Sequence, residues 1–335
     1  MIGRYSVAIL GALVLDAIIG DPAVSWHPVR LLGRLAGLAE TSARRMFLVS
    51  DSANDFKSLG SSVTRARIAG AVTWLFVGVT AGGLAWLLCA TAHGLHHIIG
   101  AASDIAVVWA SIAPADLAAH AQRVRRALLG RDGLPAGQAA VSMLVGRDVS
   151  NLDEAGVARA CVESVAESSI DGAAAPLFWA VLLGPWAAFT YRAINTMDSM
   201  FGHKDEQYVH FGLVAAKTDD IANWLPARLS SVLACAVAPI VGGKAGRAFD
   251  SFRRWRLAHQ SPNAGHPESA YAGALGLRLG GPSRYSEGVI DKPWINPDGA
   301  EATADDIRRA IVLMYAQTVL SAALFLATTA AYTSL

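Results

Sequence analysis

Two runs in this chain, residues 68–92 and 310–335, contain no charged side chain at all. As helices they would extend about 37–39 Å, against a bilayer hydrocarbon core of roughly 30 Å, so each is long enough to cross a membrane. Lipid offers no partner to backbone polar groups, and a helix satisfies them within the segment itself. The wider composition agrees: only 16% of the 335 residues are charged and 53% are hydrophobic, where soluble domains carry about 25% charged residues. A mean hydropathy of +0.37 points the same way.

Weaker membrane segments are read at residues 5–20, 98–115, 172–191 and 229–243. Asp104 interrupts the second, Gly184-Pro185 breaks the third and Pro239 sits in the fourth. The first resembles a signal peptide but lacks an A-x-A-like cleavage site, and Asp16 interrupts its apolar run, so a retained first helix is expected. Loop charge sets an orientation. Residues 20–67 and 115–171 are rich in arginine, while 93–97 has neither Lys nor Arg. The positive-inside rule then places both long loops in the cytoplasm and the His-containing tip outside. Reading 172–191 and 229–243 as broken or re-entrant keeps the polar stretch between them cytoplasmic as well. The expected fold is all-α: one polytopic helical membrane domain over residues 1–335, with broken or re-entrant helices and cytoplasmic helical loops around 115–129 and 152–170.

The net charge of +1 excludes polyelectrolyte attraction, and the basic loops do not interleave aromatics as a single-strand binder would. No nucleic-acid partner is expected; the lipid bilayer is. Cys89, Cys161 and Cys235 are scattered without C-x-x-C spacing, indicating neither a disulfide framework nor a zinc site. No P-loop, HExxH or GxSxG motif is present.

Polar groups crowd instead into residues 163–228. Glu163, Glu167 and Asp171 recur at i, i+4 and i+8, which puts them on one helix face. Three such carboxylates repel one another unless a cation joins them, and oxygen ligands suit Mg²⁺. The spacing equally fits a solvated helix face. Asn195, Asp198 and Ser199 follow, with Lys204 beyond them. A lysine point charge near a metal carboxylate suits a phosphate, although Asp and Asn also cap helix ends. Asp219, Asp220, Asn223 and Arg228 repeat the pattern, with a salt bridge between Asp220 and Arg228 as the plainer explanation. Outside this stretch, Asp16, Asp21 and His27 accompany the first apolar run, and acids inside membrane segments are functional candidates. Ser261, Asn263, His266 and Glu268 lie in a Pro-punctuated turn that either contacts a substrate or caps the helix after it.

The blocks DAIIGDP…HPVRLLGRL, ESVAESSIDG, APLFW, YRAINTMDSMFGHKDEQY, DDIANWLPARL, SPNAGHPESAYAGALGLRLGG and KPWINPDG occur in that order from Asp16 to Gly299. Together they resemble the adenosylcobinamide-phosphate synthase family of cobalamin biosynthesis, whose members are integral membrane proteins. Departures from the family pattern fall at Ser168, His203, Gln207 and Lys217. The resemblance implies ATP-dependent amide formation between the corrinoid adenosylcobyric acid and (R)-1-amino-2-propanol O-2-phosphate, or aminopropanol itself, in the cell inner membrane with a cytoplasmic active site. It implies ATP and Mg²⁺, with Glu163, Glu167, Asp171 and Asp198 as metal ligands and Asn195, Ser199, Asp219, Asp220 and Asn223 completing the nucleotide site. Lys204 and Arg228 would neutralise phosphate charge, His266 or Glu268 would take the proton of the amine, and Asp21, His27, Ser261 and Asn263 would hold substrate. Association with other corrinoid-pathway enzymes or with a second copy is compatible with this. The competing class is a corrinoid-binding or transport protein without catalysis, which intramembrane acids such as Asp16 and Asp104 would also suit.

Overall fold

The computed structural model describes residues 5–22, 24–48, 59–203, 205–285 and 288–333, and is helical almost throughout. In chain order the helices are α1 (Ser6–Ile19), α2 (Pro28–Met46), α3 (Leu59–Leu95), α4 (His97–Trp109), α5 (Pro114–Leu128), α6 (Gly133–Val141) and α7 (Glu154–Ser169). A π-helical turn (Ile170–Ala174) then leads into α8 (Ala175–Leu183), α9 (Pro185–Phe201), α10 (Leu213–Val237) and a 3₁₀ turn (Ala238–Val241). The remaining helices are α11 (Ala245–Trp255), α12 (Gly265–Leu275) and α13 (Ala304–Thr333). Between α12 and α13 the strands β1 (Leu279–Gly280) and β4 (Trp294–Ile295) pair antiparallel, as do β2 (Ser283–Tyr285) and β3 (Gly288–Ile290).

Among the described residues, four helical runs are long and apolar enough to cross a bilayer: Ser62–Leu95, His97–Leu128, Leu213–Val241 and Ala304–Ala327. Along α3 the side chains of Leu75, Phe76, Val79, Leu84, Trp86, Leu87 and Leu88 are all exposed. So continuous an apolar surface marks contact with another apolar phase, here lipid. The chain is an all-α polytopic protein. The apolar segment at 229–243 proves to be the second half of a much longer helix that already begins at Leu213.

Prolines set the starts of α2, α5 and α9. Pro28, Pro114 and Pro185 each occupy the first helical position, where a missing N–H costs nothing. Gly184, with φ of 104°, ends α8 directly before Pro185, and this is the break anticipated in 172–191. Pro226 lies inside α10, where it cannot donate to the carbonyl of Ala222 one turn earlier. The indole N–H of Trp179 donates to that carbonyl instead, at 3.2 Å.

The chain divides into two compact units, one formed by residues up to Ile112, Pro176–Ala222 and the residues after Ala327, the other by Ala113–Ala175 and Asn223–Ala327. In the first, α2, α3 and α9 share a core of Leu32, Ala36, Val77, Met197, Phe201 and Phe211. Gly70 is required there: a Cβ would lie 1.8 Å from the carbonyl oxygen of Phe211. In the second unit α7 is the central helix, buried from Gly156 to Ala166 except at Arg159. That burial follows from the small and branched apolar residues that make up most of the stretch, with Arg159 and Glu163 as its charged members. Its start is fixed by Asp153, whose carboxylate accepts the Gly156 N–H at 2.7 Å.

Candidate functional site

In the second unit the chemistry-bearing groups gather around Glu268 at the start of α12. Glu268 is buried, and its carboxyl is held well above the usual glutamate range, first by burial and then by the charges of Glu163 and Glu167. Lys292 and Arg147 oppose the shift, and the ring of His259 lies with Nε2 3.9 Å from Glu268 Oε1. A carboxyl so placed resists ionisation and, once ionised, is a stronger base than a free glutamate.

Glu163 is firmly held. Its Oε2 accepts from Arg147 Nη2 at 2.6 Å and its Oε1 from the backbone N–H of Gly280 at 2.7 Å. Arg159 stands one turn before it, 4.0 Å away. Glu167, also on α7, is by contrast exposed. Asp171 is carried by the π turn and accepts a hydrogen bond from Asn223 Nδ2 at 3.0 Å. Isolated π turns recur at functional sites because they displace one side chain from the regular helical row. Arg228 donates from Nη1 to the carbonyl of Trp224 at 2.6 Å and to Asn263 Oδ1 at 3.2 Å, and lies over the Trp224 ring at 4.2 Å.

His266 is 2% exposed and packs edge-on against Phe252 at 5.8 Å. Its Nδ1 is buried with no hydrogen-bond partner among the described residues. Burial, then the charges of Arg228 and Arg256, push its pKa down to about 4, so the ring is neutral at physiological pH. The hydroxyl of Ser261 accepts from the backbone N–H groups of Asn263 and Ala264, both at 3.3 Å. It therefore shapes the turn before α12.

The first unit carries a second acidic group. Asn195 Nδ2 donates to Asp219 Oδ1 at 3.3 Å, and both residues are buried. The carboxyl of Asp198 is pushed up to about 7, by burial first and by Asp219 and Asp220 next, with His203 acting the other way. Ser199, by contrast, is exposed. Near the end of α1, Asp21 Oδ1 lies 3.3 Å from His27 Nε2, and the buried His27 ring meets Trp109 edge-on at 5.6 Å. Lys204 lies outside the described residues.

Among the described residues no group of three or more His, Cys, Asp or Glu side chains is arranged to hold a metal ion by itself. Mg²⁺ needs no such cage, since it commonly binds through one or two carboxylates, phosphate oxygens and water. The mutual repulsion of Asp198, Asp219 and Asp220 is an arrangement that a cation would relieve. To that extent these residues fit a hydrated, phosphate-borne magnesium ion.

Several groups here have no periodic signal in the sequence. Two guanidinium groups lie against the Trp294 ring, Arg159 at 4.8 Å and Arg278 at 4.6 Å from its centre. Glu301 pairs with both arginines. In the middle of the second unit, Gln317 accepts from Tyr271 Oη at 2.9 Å and donates to the hydroxyls of Ser169 and Ser230. Only the KPWINPDG block pointed towards Lys292 and Trp294.

Comparison with known proteins adds an independent observation. Residues 9–314 match the family described as CobD/CbiB protein. Cobalamin biosynthesis protein CobD of Klebsiella pneumoniae is 41% identical over 315 residues, covering 94% of each chain. Cobalamin biosynthesis protein CbiB of Salmonella choleraesuis is 41% identical over 316 residues, covering 94% of this chain and 95% of that one. The CobD protein of Pelobacter propionicus is 40% identical over 324 residues, covering 95% and 94%. No solved structure matches the chain.

Proposed function

We propose that this chain, which belongs to the CobD/CbiB family, joins adenosylcobyric acid to (R)-1-amino-2-propanol O-2-phosphate, or to aminopropanol itself, in an ATP-dependent ligation. The product is adenosylcobinamide phosphate, or adenosylcobinamide from the free amino alcohol. A role in cobalamin biosynthesis follows from membership of the family; the amide-forming step is the reading that the residues support best.

A carboxylate does not condense with an ammonium ion unaided at neutral pH. Mg-ATP, when bound, would supply the activation: its terminal phosphoryl group passes to the propionate oxygen as the phosphoanhydride bond breaks and ADP leaves. The amine nitrogen then forms a bond to the acyl carbon, the carbon–oxygen bond to phosphate breaks, and the ammonium proton must be removed before attack. The observation that carries this reading is the state of Glu268: a buried carboxyl with raised proton affinity is suited to take that proton. His266, held neutral with a pKa of about 4, is a weaker base and better suited to accept a hydrogen bond than a proton. Of the two candidates the reading therefore favours Glu268.

Arg228, oriented by Asn263 and stacked on Trp224, would meet transferring phosphate charge with its remaining donors. Asp198 with Asp219 would take a phosphate-borne magnesium ion, and Asp171, held by Asn223, is a second candidate carboxylate within its own unit. Glu163, engaged by Arg147 and Gly280, orders the surroundings of Glu268. In the cell the protein would be a multi-pass component of the inner membrane with this chemistry on the cytoplasmic side.

Phosphate release by the protein in nanodiscs tests the reading. ATP consumption that needs both adenosylcobyric acid and the amino alcohol supports a ligase. Corrinoid binding with no ATP consumption under any combination would favour a binding or transport role.

A further inference from the structure

Helix α11 begins four residues after the apolar run that ends at Val241. The link and helix carry Lys244, Arg247, Arg253 and Arg254, with Arg256 directly after, against the single acid Asp250. One side of α11, formed by Ala248, Ser251 and Phe252, is buried. It packs on α12, where Ser251 Oγ donates to the carbonyl of Ser269 at 2.8 Å. Gly273 permits this approach, because a Cβ there would stand 2.8 Å from the Ala248 Cα. The contact fixes which arc of α11 faces outward.

That arc is basic. Arg256 turns inward, its guanidinium over the Phe252 ring at 5.7 Å and Nη1 donating to the Arg253 carbonyl. Lys244, Arg247, Arg253 and Arg254 remain exposed, and none makes an ion pair among the described residues. Two apolar side chains stand among them: Phe249 is 45% and Leu257 73% exposed. Ile240, at the last turn of the preceding run, is exposed as well.

Four unpaired cations so soon after a membrane-crossing helix lie at the level of the lipid headgroups. There they meet phosphate oxygens within a Debye length of about 8 Å. Apolar side chains interspersed with the cations enter the boundary between headgroups and acyl chains. An acidic soluble partner would match the charge but would give no reason for Phe249 and Leu257 to be exposed at this depth.

We propose that α11 is a docking surface for anionic phospholipid, with Lys244, Arg247, Arg253 and Arg254 on lipid phosphates and Phe249 and Leu257 in the boundary layer. The inference is independent of the reaction assigned to the chain.

The full chain, reconstituted in nanodiscs of mixed phosphatidylcholine and phosphatidylglycerol, tests it. Lipids retained by the protein are counted by native mass spectrometry. The expected result is phosphatidylglycerol enriched roughly threefold or more over its bulk ratio, falling with added salt. The R247Q/R253Q/R254Q variant should retain the two lipids at the bulk ratio with an unchanged melting temperature, while R247K/R253K/R254K keeps the enrichment. Equal enrichment in the glutamine variant and the original chain would overturn the proposal. So would no enrichment in the original chain, including the case where an acidic protein occupies α11 instead.

Discussion

Asn223 donates its side-chain amide to Asp171 at 3.0 Å, joining α10 to the π turn that follows α7. The carboxylate that interrupts the regular row on α7 is thereby given a fixed direction. Removing the amide should leave Asp171 in place but less firmly oriented. Asn223→Ala is expected to lower kcat about 10–100-fold, the range for loss of an orienting partner. The melting temperature should change little, and Asp171→Ala should lower the rate further. Steady-state kinetics beside thermal melts of both variants decide it; equal rates in Asn223→Ala and the parent protein would remove Asp171 from the site.

Arg147 and Glu163 form a largely buried pair, with side chains 10% and 11% exposed. Taking away one partner of a buried ion pair costs about 3–5 kcal/mol. Glu163→Ala should therefore lower stability by that order, and Arg147→Met with Glu163→Leu should recover most of it. Denaturation in detergent of the two singles and the double measures the coupling. A stable Glu163→Ala that has lost only activity would make Glu163 a ligand contact rather than a structural group.

Glu268 and His266 predict opposite responses to pH. The raised carboxyl of Glu268 contributes stability that is fully present below the ordinary glutamate value and lost as pH rises through its own value. Glu268→Gln should thus be more stable than the parent at pH 8, with no such gain at pH 4. As the proton acceptor, Glu268 should also give a rate that climbs with pH, a limb that the Gln variant lacks. His266, lowered to about 4, stabilises the fold when neutral. Its contribution is present above the ordinary histidine value and lost as pH falls from about 6.5 towards 4. His266→Asn should flatten that acid limb in melts recorded across the range.

Burial, then the charges of Asp219 and Asp220, push the Asp198 carboxyl up to about 7. Its share of stability is present below the ordinary aspartate value and lost as pH rises through about 7, where its ionised form meets Asp219 and Asp220. Millimolar Mg²⁺ should therefore raise the melting temperature more at pH 8 than at pH 6, and Asp198→Asn should erase the difference. An identical magnesium response in Asp198→Asn would remove this residue from the cation's ligands.

Trp179→Phe leaves the Ala222 carbonyl without the indole donor that compensates for Pro226. In a helix that crosses lipid no water replaces that donor, so a loss of about 1–2 kcal/mol is expected. Adding Pro226→Ala restores a backbone donor one turn away and should recover part of it, which a double-mutant cycle would show.

The spans were readable where charge is absent. Residues 68–92 fall within α3 and residues 310–333 within α13, residues 334 and 335 lying outside the described residues, and a helix break falls at Gly184-Pro185. The first half of α10 was not readable as a span, because Lys217, Asp219, Asp220 and Arg228 lower its local hydropathy and suggest a polar loop. The helical spacing of Glu163, Glu167 and Asp171 put them on one helix face, whereas the structure gives each a different setting. Their separate environments come from Arg147 and Gly280, which lie 16 and 117 residues from Glu163 and leave no periodic trace. The π turn carrying Asp171 is likewise invisible in the residue pattern. So is the Arg159–Trp294–Arg278 stack, whose members come from α7, the segment after α12 and β4.

Mass spectrometry of the corrinoid, after incubating the nanodisc-embedded protein with Mg-ATP, adenosylcobyric acid and aminopropanol phosphate, tests the central claim most directly. The amide should appear only when all three are present, and Glu268→Gln should slow its formation without preventing corrinoid binding. A folded protein that binds adenosylcobyric acid yet forms no amide in the complete mixture would contradict the assignment.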